Sequence, residues 1–459
     1  MKSFGETGFE TTETGDYSWK PEAQQILTTK NPRTPPGRAY NASYPGFFSV
    51  AMPPAHVVLR RLVSLTVNLT VRLTVNLPAR AARTVSRVAA RALTCLTCLT
   101  CLTCLTAATA AAARPLPIEQ LSLPPGFRVS VLTDAVPAAR EMAWSPRGIL
   151  YVGSMEGRVH ALVIRDAQVR AHYVIASGLE MPVGVAYRDG ALDVSAVSRI
   201  LRFDRIDDRL AAPPKPVIVT DTLPTERHHG WKFIAFGPDG KLYVPTGAPC
   251  NVCLADRDRY ALIARMDADG SHREIVARGV RNTVGFAWHP DTGELWFTDN
   301  GRDMMGDDVP DDKLNRAPRA GLDFGFPYCH GGDTPDPEFG DANACQRFVG
   351  PVLKLGAHVA SLGMRFYTGT MFPADYRNNI FIAEHGSWNR STKVGYRVMR
   401  VIASADGRTA RQTPFVTGWL RPDGTVWGRP ADVLPLPDGS LLVSDDYAGA
   451  IYRITYAAP

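Results

Sequence analysis

Four segments carry side chains suited to chemistry. Glu226-Arg227-His228-His229-Gly230 sets imidazoles just ahead of an apolar strand. Histidine, with an ordinary pKa of ~6.5, is the side chain best suited to take a proton near neutrality, although two adjacent histidines also suit a plain surface turn. Arg281-Asn282, in GVRNTVGFAWHP, precedes another such strand. An arginine fork fits carbonyl or carboxylate oxygens; a loop salt bridge is the plainer alternative. The run DNGRDMMGDDVPDDKLN, Asp299–Asn315, gathers Asp299, Asp303, Asp307, Asp308, Asp311 and Asp312. Carboxylates at this density among glycines suit a hard cation, Ca²⁺ before Mg²⁺ in an exported protein, or else a solvated acidic loop, and the spacing is not that of an EF-hand. Finally, EHGSWNR (Glu384–Arg390) and GRPAD (Gly428–Asp432) each set an arginine beside a strand. With Arg281, Arg390 and Arg429 would surround a common axis with positive charge, and a small polyanion would fit there.

These segments punctuate a repeat. EMAWSPRGILYVGS begins at Glu141, GVAYRDGALDVSAVSRILRFD at Gly184, KFIAFGPDGKLYVPTG at Lys232, GFAWHPDTGELWFTDNG at Gly285, GMRFYTGTMFPADYRNNIFIAEHG at Gly363 and ADVLPLPDGSLLVSDD at Ala431. Each is an apolar strand, a turn rich in Pro, Asp or Gly, and a second apolar strand, with third strands such as RILRFD and YRVMRV. Asp-Gly supplies the positive φ of a tight hairpin. Helical periodicity is missing from this region. One such unit cannot bury both of its faces, so the units must stack in a ring. A β-sandwich or a pair of β domains is the competing arrangement, and six units without a linker favour the ring. The expected fold is all-β: a six-bladed β-propeller with four-stranded blades over residues 115–459, preceded by a low-complexity leader. Propeller sites sit at the axial ends of inner strands, where the four segments fall.

The leader differs in kind. Residues 1–115 hold thirteen Lys/Arg and five Asp/Glu, and the remainder holds 38 and 40, so the net charge of +6 belongs to the leader and the body offers nucleic acid no basic face. Ser64–Leu77 and Leu93–Thr106 are short-period repeats, unlike a packed core. Arg80, Arg83, Arg87 and Arg91 precede an uncharged run from Ala92 to Ala113. Residues 80–114 therefore read as an export signal, with a membrane anchor or a start site assigned too early as alternatives, and residues 1–79 as an extension outside the mature protein. A periplasmic or secreted location follows. Cys95, Cys98, Cys101 and Cys104 belong to the repeat. Cys250, Cys253, Cys329 and Cys345 make an even set in the body, and proximity favours Cys250–Cys253 with Cys329–Cys345. A zinc half-site at Cys250–Cys253 is the rival, lacking a second close pair.

In order, HHGWKFIAFGPDGKLY, RNTVGFAWHPDTGELWFTDNG, DDVPDDKLNRAPRAGLDFGFPYC, AEHGSWNRS and GRPADVLPLPDGSLLVSDD make the chain resemble the soluble quinoprotein sugar dehydrogenases, nearest to the L-sorbosone and aldose dehydrogenases, from about Leu121 to Ile454. The resemblance implies pyrroloquinoline quinone (PQQ), a tricarboxylate, with Ca²⁺ beneath it. It implies His229 as the base, Arg281 and Asn282 on the quinone oxygens and Arg429 on a PQQ carboxylate. Gly301 and Arg302 would lend carbonyls to Ca²⁺, and Asp308 or Asp312 a carboxylate. Val284 stands where glucose-oxidising members place a glutamine, and AEHGSWNRS lacks their lysine, for which His385, Arg390 and Lys393 are replacements. These departures speak against glucose. The implied reaction is oxidation of a sugar or sugar aldehyde by hydride transfer to PQQ, then electron transfer to an external quinone or cytochrome. A metal-dependent lactonase and a non-catalytic binding propeller are the rival functions.

Overall fold

The computed structural model describes residues 115–458. The leader repeats, and the expected signal or anchor within residues 80–114, lie outside them. Among the described residues no helix is long and apolar enough to cross a membrane.

The six repeats form six antiparallel sheets. Blade 1 is Ala139–Ser145, Ile149–Ser154, Val159–Arg165 and Gln168–Ala176, and blade 2 is Val185–Arg188, Ala191–Ser195, Ile200–Phe203 and Val217–Thr220. Blade 3 runs from Ala235–Phe236 through Leu242–Thr246 and Leu262–Met266 to Glu274–Arg278, with Leu322–Asp323 added in parallel. Blade 4 is Phe286–Trp288, Leu295–Asp299, Asp311–Ala317 and Leu353–Ala357, and blade 5 is Ser361–Phe366, Ile380–Glu384, Arg397–Ala403 and Ala410–Val416. Blade 6 takes Pro430–Pro435, Leu441–Asp445 and Ala450–Tyr456 from the end of the chain. Its outer strand, Phe127–Thr133, comes from the start of the described residues and pairs from Phe127 with Tyr456. The ring is therefore closed by hydrogen bonds between chain segments more than 300 residues apart, which no local pattern announced.

Apolar contact lies between blades. Six clusters of buried side chains fill the six junctions, for example Tyr151 with Leu192 between blades 1 and 2, and Phe381 with Trp419 and Tyr452 between blades 5 and 6. Second strands such as Leu295–Asp299 are buried on both faces and read as unbroken apolar runs, whereas the outer strand Gln168–Ala176 alternates. The Asp189–Gly190 hairpin has positive φ at both residues, as a type I′ turn requires.

Strand registers put Glu141, Gly184, Phe233, Gly285, Gly363 and Asp432 at one level of the six inner strands. The three glycines make room: a Cβ at Gly363 would strike Asp432, and one at Gly184 would crowd Lys232 and Glu141. Into that room Glu141 Oε2 accepts the N–H of Val185 (3.1 Å) and of Ile234 (3.0 Å), and Asp432 Oδ2 accepts that of Met142 (3.0 Å). Arg365 of blade 5 lies 3.4 Å from Asp432, 3.9 Å from Glu141, and over the ring of Phe233. Next along the second strands, Ser195, Thr298 and Ser444 hydroxyls donate to Lys232, Leu362 and Arg140 carbonyls of the following blade.

Two expectations about the acidic segment change. Asp311 and Asp312 are in the third strand of blade 4, so the insertion is only 300–310. A longer excursion, residues 318–352, leaves blade 4 before its outer strand and packs on blade 3 by way of Leu322–Asp323. It contains the Cys329–Cys345 disulfide, and Cys250–Cys253 is the other.

Burial raises the pKa of Glu141, with Arg365 opposing, and raises that of Asp432 likewise. We expect Arg365→Met to cost about 3–5 kcal/mol of unfolding free energy in a urea titration, because two buried carboxylates lose their counter-charge. Both carboxyls titrate above their unfolded values, so the native state binds the extra protons. Part of the loss should return as the pH is lowered toward 5, and a loss independent of pH would contradict this.

Candidate active site

Each inner strand is entered, and each second strand left, at the same end of the ring. All four segments singled out in the sequence lie at that end.

His229 sits in the connection entering blade 3, at a φ of 50°, and is 8% exposed. Gly247 allows the approach: a Cβ there would lie 2.5 Å from that of His229. The next residue aligns two groups at once. Ala248 accepts from His229 Nδ1 at 2.9 Å and donates its N–H to the Arg281 carbonyl at 2.8 Å. A carbonyl can only accept, so Nδ1 carries the proton and Nε2, which has no partner among the described residues, carries the lone pair. Burial, then the charges of Arg281 and His228, hold His229 well below 6.5, so it is neutral at neutral pH.

Arg281, 3% exposed, is almost fully committed to protein. Nε and Nη2 bond the carbonyl and side-chain oxygen of Asn251, both at 2.8 Å; Nη2 also pairs with Asp303 at 3.1 Å, and Nη1 reaches the Asn300 carbonyl at 3.3 Å. One N–H of Nη1 is left for a ligand. Asn282 is the reverse case. Its N–H goes to Asp299 (2.9 Å) and its carbonyl accepts twice from Asn300, while its side-chain amide has no partner among the described residues. Asn300 continues to the Ser361 carbonyl at 3.2 Å.

From there the hydrogen bonds run on to blades 5, 6 and 1. His385 donates its backbone N–H to Ala360, and its Nε2 meets Asp446 at 2.8 Å; Asp446 in turn pairs with Arg140 at 2.7 Å. Burial lowers His385 to about 4 despite Asp446. For Asp446, burial pushes upward, but Arg140 and His385 outweigh it and keep the carboxyl ionised. Arg429 holds the His385 carbonyl by Nε (3.1 Å) and that of Gly386 by Nη2 (3.0 Å), leaving Nη1 without a partner among the described residues. Trp231, Val284, Leu362 and Ala431, from the starts of four inner strands, meet as an apolar floor. Val284, the departure noted in the sequence, belongs to this floor.

The remaining residues are placed differently from expectation. Arg390 turns to the insertion, bonding the Asp307 carbonyl and pairing with Asp308 at 2.8 Å. Arg302 pairs with Asp336 of the excursion. The funnel is thus not a ring of free positive charge, since Asp303, Asp308, Asp336 and Asp446 neutralise it. The two carboxylates considered for calcium have other partners. Asp312 is fully buried, accepting from Gly301 N–H (2.8 Å), Ser361 N–H (3.0 Å) and the Ser361 hydroxyl, and burial raises it to about 6. Asp308 is exposed on the insertion. Among the described residues no three His, Cys, Asp or Glu side chains gather. Ca²⁺ takes six to eight oxygens, and these side chains alone do not supply them.

A family model described as TrAA12-like matches residues 121–456. The chain belongs to the TrAA12-like family. It is 35% identical over 349 residues to an uncharacterized protein of Borreliella burgdorferi, covering 73% of this chain and 91% of that one. It is 30% identical over 143 residues, 26% of this chain and 18% of the other, to a pyrroloquinoline quinone-dependent pyranose dehydrogenase of Coprinopsis cinerea. The holo PQQ domain of pyranose dehydrogenase from Coprinopsis cinerea superposes with a TM-score of 0.65 at 20% identity, over 74% of this chain and 98% of that one, a likeness of fold.

Sequence reasoning missed Asn251, Asn300, Arg140 and Asp446, and took Asp303 for a cation ligand where it pairs with Arg281. Asp446 directly follows the second strand that Asp445 ends, so the strand-end rule reaches it; Asn251 has no such signal. We expect Asn282→Ala to leave the unfolding free energy within about 0.5 kcal/mol, because its amide supports nothing in the protein. Gly247→Ala should cost about 1–3 kcal/mol by forcing His229 away, measured by the same denaturation curve.

Proposed function

We propose that this chain is a quinoprotein oxidoreductase that oxidises a sugar or sugar aldehyde with PQQ bound in the funnel. The observation that carries this is a set of three uncommitted polar groups on side chains otherwise held in place. At the axial end of the inner strands, His229 Nε2, the Asn282 amide and Arg429 Nη1 have no partner among the described residues, and none of the three is fully enclosed. Accessible and uncommitted to protein, these three can be reached by a ligand. They offer a lone pair, an amide and two cationic N–H donors. The apolar floor with Trp231 suits a flat ring, so the residues fit a planar carbonyl- and carboxylate-bearing cofactor. Family membership and the PQQ-dependent relative support the same reading.

Arg429 would hold a carboxylate of PQQ and Asn282 a ring oxygen, with the free N–H of Arg281 beside it. His385 orients Arg429 through its carbonyl rather than offering Nε2, which Asp446 occupies, and Arg390 acts at the insertion. PQQ, when bound, supplies the hydride acceptor. His229 Nε2 takes the proton from the substrate hydroxyl, and Ala248 holds the ring in the tautomer that leaves this nitrogen bare. Arg281, fixed by four hydrogen bonds, presents positive charge without having to reorganise. A second reading of the proton acceptor is His385, the one of these imidazoles backed by a carboxylate. We place the enzyme outside the cytoplasm, on the support of the two disulfides among the described residues, with an external electron acceptor. Nothing favours a lactonase, whose axial metal would need Glu141 and Asp432, both bound to N–H groups and Arg365.

Supplying PQQ to the full chain should give dye reduction with aldoses or sugar aldehydes; neither quinone binding nor turnover would refute the proposal. His229→Asn should lower kcat at least ~100-fold with PQQ still bound. An intact kcat there, with the loss in His385→Asn, would move the base to His385. His229 is held below 6.5, and protonation removes its lone pair. The acid limb of kcat/KM should therefore lie below pH 6.5, with a plateau through neutrality.

A further inference from the structure

Asn251 makes four hydrogen bonds to two residues at the funnel, and it lies inside the smaller of the two disulfide rings among the described residues. Cys250 and Cys253, three residues apart, close that ring just after the second strand of blade 3. The Asn251 carbonyl accepts from Arg281 Nε and its side-chain oxygen from Arg281 Nη2, each at 2.8 Å. The same side-chain oxygen accepts the Asp303 N–H at 2.8 Å, and Nδ2 donates to the Asp303 carbonyl at 3.0 Å. Asp303 then completes the triangle by pairing with Arg281. Cys250 and Val252 pack against Ala248, Ala261 and Phe326, which anchors the ring to the residue that aligns His229.

Arginine has many rotamers of similar energy, and fixing one requires partners that are themselves fixed. A disulfide across so short a loop removes less entropy from the unfolded chain than one across the sixteen-residue separation of Cys329 and Cys345. Its main consequence is local: it restricts the backbone of Asn251, and with it the two oxygens that grip Arg281.

We propose that Asn251, held by the Cys250–Cys253 disulfide, is the positioning residue that aims Arg281 and clamps residues 299–303, so that the intact bridge sets cofactor affinity. This rests on the quinone reading of the funnel.

The test uses the full chain with PQQ as the probe, titrated calorimetrically, and hydrogen exchange at the Asp303 amide. Asn251→Leu and the double variant Cys250→Ser/Cys253→Ser should each weaken PQQ binding about tenfold and speed Asp303 exchange, the double variant serving where the leucine variant does not fold. Asn251→Asp keeps both oxygens that accept from Arg281, losing only the Nδ2 donation to Asp303, and should stay within about threefold of the parent in PQQ affinity, a rescue that a merely space-filling role would not produce. Unchanged PQQ affinity together with a still-protected Asp303 amide in the leucine and serine variants overturns the proposal, as does equal weakening in Asn251→Asp. A parent protein that binds no PQQ overturns the quinone reading instead; the Asp303 exchange then decides alone whether Asn251 is the clamp.

Discussion

Two buried carboxylates and the part-buried guanidinium that they share are the constraint from which the rest follows. Glu141 binds the inner strands of blades 2 and 3 through their N–H groups, Asp432 binds blade 1, and Arg365 reaches both from blade 5 while covering Phe233 of blade 3. Buried charges repay their desolvation only when every partner is present. Five of the six blades therefore meet at one height and register, and any blade out of place would strand a charge. The cost in space falls on Gly184 and Gly363, which have no side chain at the crowded level.

The funnel begins one residue above this knot. Its floor is made by Trp231, Val284, Leu362 and Ala431, and its walls by loops whose roots are already fixed. Hydrogen bonds then pass from loop to loop: His229 to Ala248, Ala248 to Arg281, Asn300 to Ser361, Ala360 to His385, His385 to Arg429 and Asp446. The arginines are consumed unequally along the way. Arg281 spends its donors holding Asn251, Asn300 and Asp303, whereas Arg429 keeps one nitrogen free. Arg281 thus contributes mainly a fixed charge, and Arg429 is the arginine equipped to grip an anion directly.

The acidic segment shows how the same residues can serve the fold. Its density of aspartates suited a cation, yet Asp299 binds the Asn282 N–H and Lys313, Asp303 serves Arg281, Asp307 and Asp308 serve Ser391 and Arg390, and Asp312 joins blade 4 to Ser361 of blade 5. Backbone donors and arginines from distant loops satisfy them one by one. Such partners are invisible in the run itself.

The sequence by itself determined the number of blades, the inner-strand positions and the end of the ring at which His229, Arg281, Asn282 and Arg429 stand. Each of these rests on information within about twenty residues: an apolar run, an Asp-Gly turn, a second run, and a polar residue at the strand end. The two disulfides also followed, because their partners are close along the chain. Tertiary structure alone decided the closure of blade 6 by Phe127–Thr133, the axial knot, the committed state of Arg281, the turning of Arg390 toward the insertion, and the grip of Asn251. All five depend on hydrogen bonds or charges between segments that are distant in sequence. Any arginine or aspartate can offer such a bond, and only the packed ring fixes which one receives it.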